Sequence, residues 1–306
     1  MHAQTAESVA THNIRIRPLP AVAGAEVDCA NLSKLTKAEK LTIRAAWLDH
    51  LFLVLHDQKL TDDQLVAVSR IFGESEIAAV APKDGIFQKI AIISNVVKDG
   101  KPIGALGAGE LLWHSDHSFN EKPLGASMLY ALEVPSEGGN TLFSNMYLAL
   151  ETLPSDLRAR IEGRTIKNDG SLNSAGERRT NAVIDDLRSY EGPSHPIVRT
   201  HPETGHNALY LGRRSNAYVN GLSIEASEEL LNELWAHATQ PRFAWRHKWR
   251  VNDLVVWDNR CLMHRRDSFD QGARRVMHRA QCAGDRPTYR PEASNRGRHA
   301  RAHQYS

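Results

Sequence analysis

His114 and Asp116 stand two residues apart in Trp113-His114-Ser115-Asp116. On a strand, side chains two apart point the same way, so an imidazole and a carboxylate would sit side by side at about one ligand spacing. A divalent metal takes such a pair but needs a third donor, and His-x-Asp alone recurs in many proteins. His264, at the end of Leu254-Val255-Val256-Trp257-Asp258-Asn259-Arg260-Cys261-Leu262-Met263-His264, follows an apolar strand and a polar turn, and fits a structural histidine as well as a ligand. In Arg274-Arg275-Val276-Met277-His278-Arg279, strand alternation puts Arg275, Met277 and Arg279 on one face and Val276, His278 and Ala280 on the other. Two guanidiniums on one strand face mark either a solvated edge or a pair of carboxylate clamps inside a barrel, because burying them without anions is costly.

The elements that must position these residues are short strands and turns. Ile14–Arg17 alternates as a first strand, and Gly24–Val27 reads as a second. Thr36-Lys37-Ala38-Glu39 and Thr61-Asp62-Asp63-Gln64 are capping boxes. The first opens a helix expected to bury Leu41, Ala45 and Leu48; the second opens one burying Leu65, Val68 and Phe72 and ending at Gly73. Leu51–Leu55 is a continuous apolar run, expected to be a strand buried on both faces. Strands follow at Lys89–Ser94, Ser127–Leu132, Thr141–Phe143, His195–Thr200, Asn207–Leu211, Arg242–His247, Leu254–Trp257, Leu262–Arg266 and Arg274–Cys282. Helices are expected at Met146–Leu153, Asp156–Glu162 and Ile224–His237. Asn95–Glu110, with four glycines and running into His114, reads as a lid loop, and 169–194 as a second flap. The order gives a mainly β fold with helical insertions, a jelly-roll sheet pair, and no βαβ alternation.

Composition sets the outer bounds. The 306 residues suffice for one large domain, taken here as 1–284, followed by a basic tail, 285–306, expected to be poorly ordered or laid over a neighbour. That tail carries five arginines against two acids, while the whole chain has a net charge of only +2. This balance gives no footprint for nucleic acid. Cys29, Cys261 and Cys282 form no CxxC pair, which fits a reducing cytoplasm rather than a disulfide framework. No window resembles a signal peptide or a membrane span.

Trp113-His114-Ser115-Asp116, Pro135-Ser136-Glu137-Gly138-Gly139-Asn140-Thr141, Trp257-Asp258-Asn259-Arg260-x-x-x-His264 and Arg275-x-x-x-Arg279 together resemble the iron(II)/2-oxoglutarate dioxygenases of the taurine and 2,4-dichlorophenoxyacetate dioxygenase family. The likeness runs in order from Ile14 to Gly284 and is closer to the phenoxyacetate branch through Ile93-Ser94-Asn95-Val96, Lys98-Asp99-Gly100-Lys101 and His237-Ala238-Thr239-Gln240. The resemblance implies a double-stranded β-helix core, with His114, Asp116 and His264 as catalytic iron ligands, Fe(2+) as cofactor, and 2-oxoglutarate and O2 as cosubstrates. It assigns Thr141 and Arg275 to the far carboxylate of 2-oxoglutarate and Arg279 to the acid group of the primary substrate, with Lys101 a second candidate cation. It also sets the expectation of a homo-oligomer.

The expected partner is therefore a small anionic molecule. Phe72-Gly73-Glu74 is followed by Ala78-Ala79-Val80-Ala81, where the taurine branch has a polar His and Tyr pair. That departure favours an aryloxyalkanoate such as 2,4-dichlorophenoxyacetate over taurine, another alkylsulfonate or a sulfate ester. Two other classes also fit parts of the pattern. A zinc hydrolase uses two His and a carboxylate but has no use for Arg275 beside Thr141, and a non-catalytic jelly-roll binding protein has no use for an intact ligand set.

Overall fold

The computed structural model describes residues 14–29, 31–76, 89–179 and 186–291. In chain order the elements are β1 (Arg15–Pro18), β2 (Ala25–Asp28), α1 (Lys37–His50), β3 (Phe52–Leu55), α2 (Asp62–Ser69), β4 (Ala91–Ser94), β5 (Val97–Lys98), β6 (Lys101–Pro102), β7 (Ala105–Leu106), β8 (Leu111–His114), β9 (Ala126–Glu133) and β10 (Thr141–Asn145). They continue with α3 (Met146–Glu151), α4 (Ser155–Ile161), β11 (Thr165–Lys167), β12 (Ser194–Pro196), β13 (Val198–Thr200), β14 (Asn207–Leu209), β15 (Tyr218–Val219), α5 (Ile224–Ala238), β16 (Ala244–His247), β17 (Leu254–Asp258), β18 (Leu262–Arg266) and β19 (Val276–Cys282). The chain is thus mainly β with helices inserted. Among the described residues no helix is long and apolar enough to cross a membrane.

An eight-stranded sheet has the order β1-β2-β3-β17-β9-β19-β4-β7, and a four-stranded sheet the order β16-β10-β18-β8. The central strands β3, β17 and β9 of the large sheet are buried on both faces, which is why Leu51–Leu55 and Leu254–Trp257 read as apolar runs. Phe52, Val54, Leu129, Val255, Trp257 and Met277 join the core shared with the small sheet, and Phe52 stacks on Phe143 at 4.8 Å between ring centroids. The alternating partners Leu53, Leu55, Met128, Leu254, Val256 and Ala280 join a second core with Trp47 and Leu65. Both expected capping boxes form, at Thr36/Glu39 and Thr61/Gln64.

Four expectations need correction. Helix α1 buries Ile43, Ala46 and Trp47; of the expected inward residues only Leu48 packs, half-buried, against the core, while Leu41 and Ala45 are exposed. Leu41 is 60% exposed, because the i, i+3, i+4 stripe that meets β3 runs through Ile43 and Trp47. Helix α2 ends at Ser69 rather than at Gly73; Phe72 is nonetheless buried. The 95–110 stretch is not a bare loop. It folds as the β5/β6 hairpin, and β7 pairs in parallel with β4. Of the expected 285–306 tail, Asp285 to Arg290 is bonded to the body, while 292–306 lie outside the described residues: Asp285 pairs with Arg199 at 2.7 Å, the Thr200 N–H donates to the Thr288 carbonyl, and the Arg290 N–H donates to Thr200 Oγ1.

Trp47→Ala should cost roughly 3–5 kcal/mol of unfolding free energy, and Leu41→Ala no more than about 0.5 kcal/mol. Urea denaturation of the two variants checks this, and equal losses would put the buried face of α1 elsewhere.

Candidate metal centre

His114, Asp116 and His264 come together although 150 residues separate the first from the last. His114 ends β8, and antiparallel pairing of β8 with β18 sets His264 directly across from it. The two rings lie 4.3 Å apart. Asp116 sits just past the strand end, its Oδ1 3.7 Å from His114 Nε2 and its Oδ2 3.8 Å from His264 Nε2. All three side chains are buried, and one ligand atom from each lies within 4.8 Å of the others.

The surroundings fix their orientation. His114 Nδ1 meets the Leu112 carbonyl at 2.7 Å, which makes Nδ1 the protonated nitrogen and leaves the Nε2 lone pair free. Ser127 Oγ donates to Asp116 Oδ2 at 2.8 Å. Asn259 Nδ2 donates to Ser127 Oγ, while Asn259 Oδ1 accepts from the Asp116 N–H and from Trp257 Nε1. Trp257 and Asn259 of the Trp-Asp-Asn-Arg turn therefore support the carboxylate. Asp258 and Arg260 brace the turn itself, bonded to each other at 2.8 and 2.7 Å and tied to His201 and Glu203.

Electrostatics keeps Asp116 and His264 in ligating form. Burial pushes Asp116 up, but His264, His114 and Arg279 outweigh it and hold the carboxyl well below its usual range. Burial, with His114 beside it, lowers His264 to about 3, so its ring is neutral at physiological pH. Two imidazoles and one carboxylate, convergent and buried, are a donor set that fits a divalent first-row metal with positions left open.

Next to this group lies a small cavity of about 40 Å³ whose lining includes Thr141, Trp257, His264, Arg266, Arg275 and Arg279. Arg275 is 1% exposed, and its Nε and Nη2 have no hydrogen-bond partner. No carboxylate pairs with it among the described residues. Burial, with Arg266 adding repulsion, pushes its guanidinium down to about 9. Gly138-Gly139 makes room here: a Cβ on Gly139 would lie 3.3 Å from Arg275 Cδ and Nε, and φ is +62°. Trp249 Nε1 donates to Thr141 Oγ1 at 3.0 Å, leaving the hydroxyl hydrogen to donate elsewhere. Arg279 Nη1 is 3.6 Å from Asp116 Oδ1.

The structure thus gathers His114, His264, Thr141, Arg275 and Arg279 around one cavity, with Asp116 against the two imidazoles. It does not bring Lys101 there; that residue is exposed on the β5/β6 hairpin. Ala78–Ala81 lie outside the described residues. Sequence reasoning missed Ser127 and Arg266. Ser127 carries no local mark. Arg266 lies two residues beyond His264 and pairs with Thr141 across β10 and β18, a register that only the strand pairing reveals.

The chain is similar to known proteins over most of its length. The model of the family described as taurine catabolism dioxygenase TauD, TfdA family, matches residues 15–281. The chain is 35% identical over 286 residues to an (S)-phenoxypropionate/alpha-ketoglutarate-dioxygenase of Sphingobium herbicidovorans, covering 88% of this chain and 95% of the relative. It is 38% identical over 245 residues to an alpha-ketoglutarate-dependent 2,4-dichlorophenoxyacetate dioxygenase of Cupriavidus pinatubonensis, covering 76% and 84%. The crystal structure of AAD-2 in complex with Mn(II) and N-oxalylglycine superimposes with a TM-score of 0.75 at 34% identity, covering 90% of this chain and 99% of that one.

His264→Ala should abolish retention of iron(II) after anaerobic loading and desalting, and Ser127→Ala should weaken metal affinity about 10–100-fold. Metal analysis of both variants checks this, and wild-type iron content in His264→Ala would remove that residue from the ligand set.

Proposed function

Because this chain belongs to the TauD/TfdA family of 2-oxoglutarate-dependent dioxygenases, we propose that it oxidises an aryloxyalkanoate at a centre held by His114, Asp116 and His264. Arg275 and Thr141 bind the far carboxylate of 2-oxoglutarate, and Arg279 takes the acid group of the primary substrate. We read the two facing sheets as a double-stranded β-helix. The observation that carries the cosubstrate assignment is the buried, unpaired guanidinium of Arg275 beside the Thr141 hydroxyl. A buried cation without an anion is destabilising, and a bidentate carboxylate is its natural complement.

Iron(II) bound here supplies, with 2-oxoglutarate and O2, the power to oxidise an unactivated C–H bond. The chain's own part is to bind, orient and exclude water. Arg275 at one side and Arg279 at the other fix the two acids, so the carbon beside the substrate's acid group is the one brought to the metal. Hydroxylation beside an ether oxygen gives a hemiacetal, which breaks its C–O bond to release a phenol and, from a phenoxyacetate, glyoxylate. 2-Oxoglutarate loses CO2 to become succinate; one oxygen atom of O2 enters succinate and the other the hydroxylated carbon. The two relatives above, named for phenoxypropionate and 2,4-dichlorophenoxyacetate, support this substrate class over the sulfonates and sulfate esters.

A panel of phenoxyacetates, alkylsulfonates and alkyl sulfates, with succinate and phenol both measured, tests the reading. Phenol should appear in step with succinate for phenoxyacetates, and succinate released only with sulfonates or sulfates would overturn the substrate class. Arg279→Ala should raise the KM for the phenoxyacetate about tenfold or more, with that for 2-oxoglutarate changed far less. Equal rises would contradict the division between Arg275 and Arg279.

A further inference from the structure

Arg213 has no role in the site as described so far. An isolated antiparallel bridge pairs it with His114, and the Ser115 N–H donates to the Gly212 carbonyl at 3.0 Å. The register therefore draws one row across the small sheet and past its edge: Trp245, Phe143, His264, His114, Arg213. Directly opposed residues on paired strands point to the same face. Arg213 thus faces the side on which His114 and His264 present their rings. Its neighbour Arg214 instead pairs with Glu228 at 2.6 Å.

Arg213 is 7% exposed and has no carboxylate within ion-pairing distance among the described residues. Its Nη1 donates to the Leu172 carbonyl at 2.9 Å, and its Nε has no partner. Its guanidinium carbon lies 5.1 Å from the Phe119 ring centre, and that of Arg179 lies 4.8 Å from the same ring. Burial, with repulsion from Arg179, lowers Arg213 to about 10; Arg279 adds to that repulsion, and Asp116 and Asp169 oppose it. The region beside Asp116 therefore holds more positive charge than Asp116 neutralises, and Asp116 is itself committed to the metal.

We propose that Arg213 is a substrate-anchoring residue that grips the acid group of the primary substrate together with Arg279. This rests on the dioxygenase reading and deepens it. The acid is clamped between two guanidiniums from different parts of the fold, Arg279 on β19 and Arg213 beside β8. Two planar donors suit a compact oxyanion with at least two acceptor oxygens, a carboxylate or a sulfonate, and discriminate against its neutral amide. Arg179, near the same Phe119 ring, adds positive potential without being required for the clamp.

The test pairs the charge of the residue with the charge of the ligand. Binding of 4-chlorophenoxyacetate, its primary amide and phenylmethanesulfonate is measured anaerobically by calorimetry on protein loaded with iron(II) and 2-oxoglutarate. Arg213→Gln, which keeps a donor for the Leu172 carbonyl, should weaken at least one of the two anions by about tenfold or more and leave the amide nearly unchanged. Arg213→Lys should recover part of the preference for the anion. Equal weakening of anion and amide would mean that Arg213 only braces the Leu172 segment, and an unchanged anion affinity would remove it from the site; either result overturns the proposal. So would a wild-type protein that binds neither anion. Wild-type protein that binds phenylmethanesulfonate through Arg213 but forms no phenol from phenoxyacetates would sustain the clamp while refuting the aryloxyalkanoate assignment.

Discussion

Arg275 is the constraint on which the rest depends. A guanidinium 1% exposed, with no carboxylate paired to it among the described residues, is costly in the apoprotein, since desolvating an unpaired ion costs several kcal/mol. The fold tolerates this because β19 is held in the middle of a sheet, between β9 and β4, and both faces of that sheet are covered. The cost becomes useful once a dicarboxylate arrives. Under the proposed cosubstrate assignment its far acid would replace a lost solvation shell and its keto-acid end would lie toward His114, Asp116 and His264, so that recognition of the cosubstrate and positioning of the reaction would be one interaction.

Strand register transmits that placement. β10 pairs with β18 so that Thr141 opposes Arg266 and Phe143 opposes His264, and β18 pairs with β8 so that His264 opposes His114. A slip of one residue would turn each of these side chains to the other face. Phe143 and Trp257, both in contact with the His264 ring, lock that register from the core. The hydrogen bonds through Ser127 and Asn259 then aim Asp116 at the two imidazoles.

Much of this was legible in the chain. The ligands fall in motifs in which residue type and spacing have a chemical reason, and alternation correctly put Arg275 and Arg279 on one face. Apolar runs such as Leu254–Trp257 marked the doubly covered sheet. What was not legible came from long-range pairing. Arg266, Ser127 and Arg213 acquire meaning only from the strand each lies beside. Leu41 is apolar yet faces outward, because the stripe through Ile43, Ala46 and Trp47 is what meets the sheet. The hairpin within 95–110 was hidden by its glycines, and the contacts of Asp285–Arg290 by their polarity. Those residues are fixed by hydrogen bonds to Arg199 and Thr200 and by Tyr289, which packs against the apolar core.

The most direct measurement is an anaerobic titration of 2-oxoglutarate into iron(II)-loaded protein, followed by visible absorption, for the wild type and Arg275→Ala. The wild type should develop a weak charge-transfer band that saturates at one 2-oxoglutarate per chain. Arg275→Ala should need about 30-fold or more 2-oxoglutarate to reach the same point, the lower end of the 2–5 kcal/mol that loss of one partner of a buried charge pair costs. No band in the wild type, or an unshifted midpoint in the variant, would contradict the account.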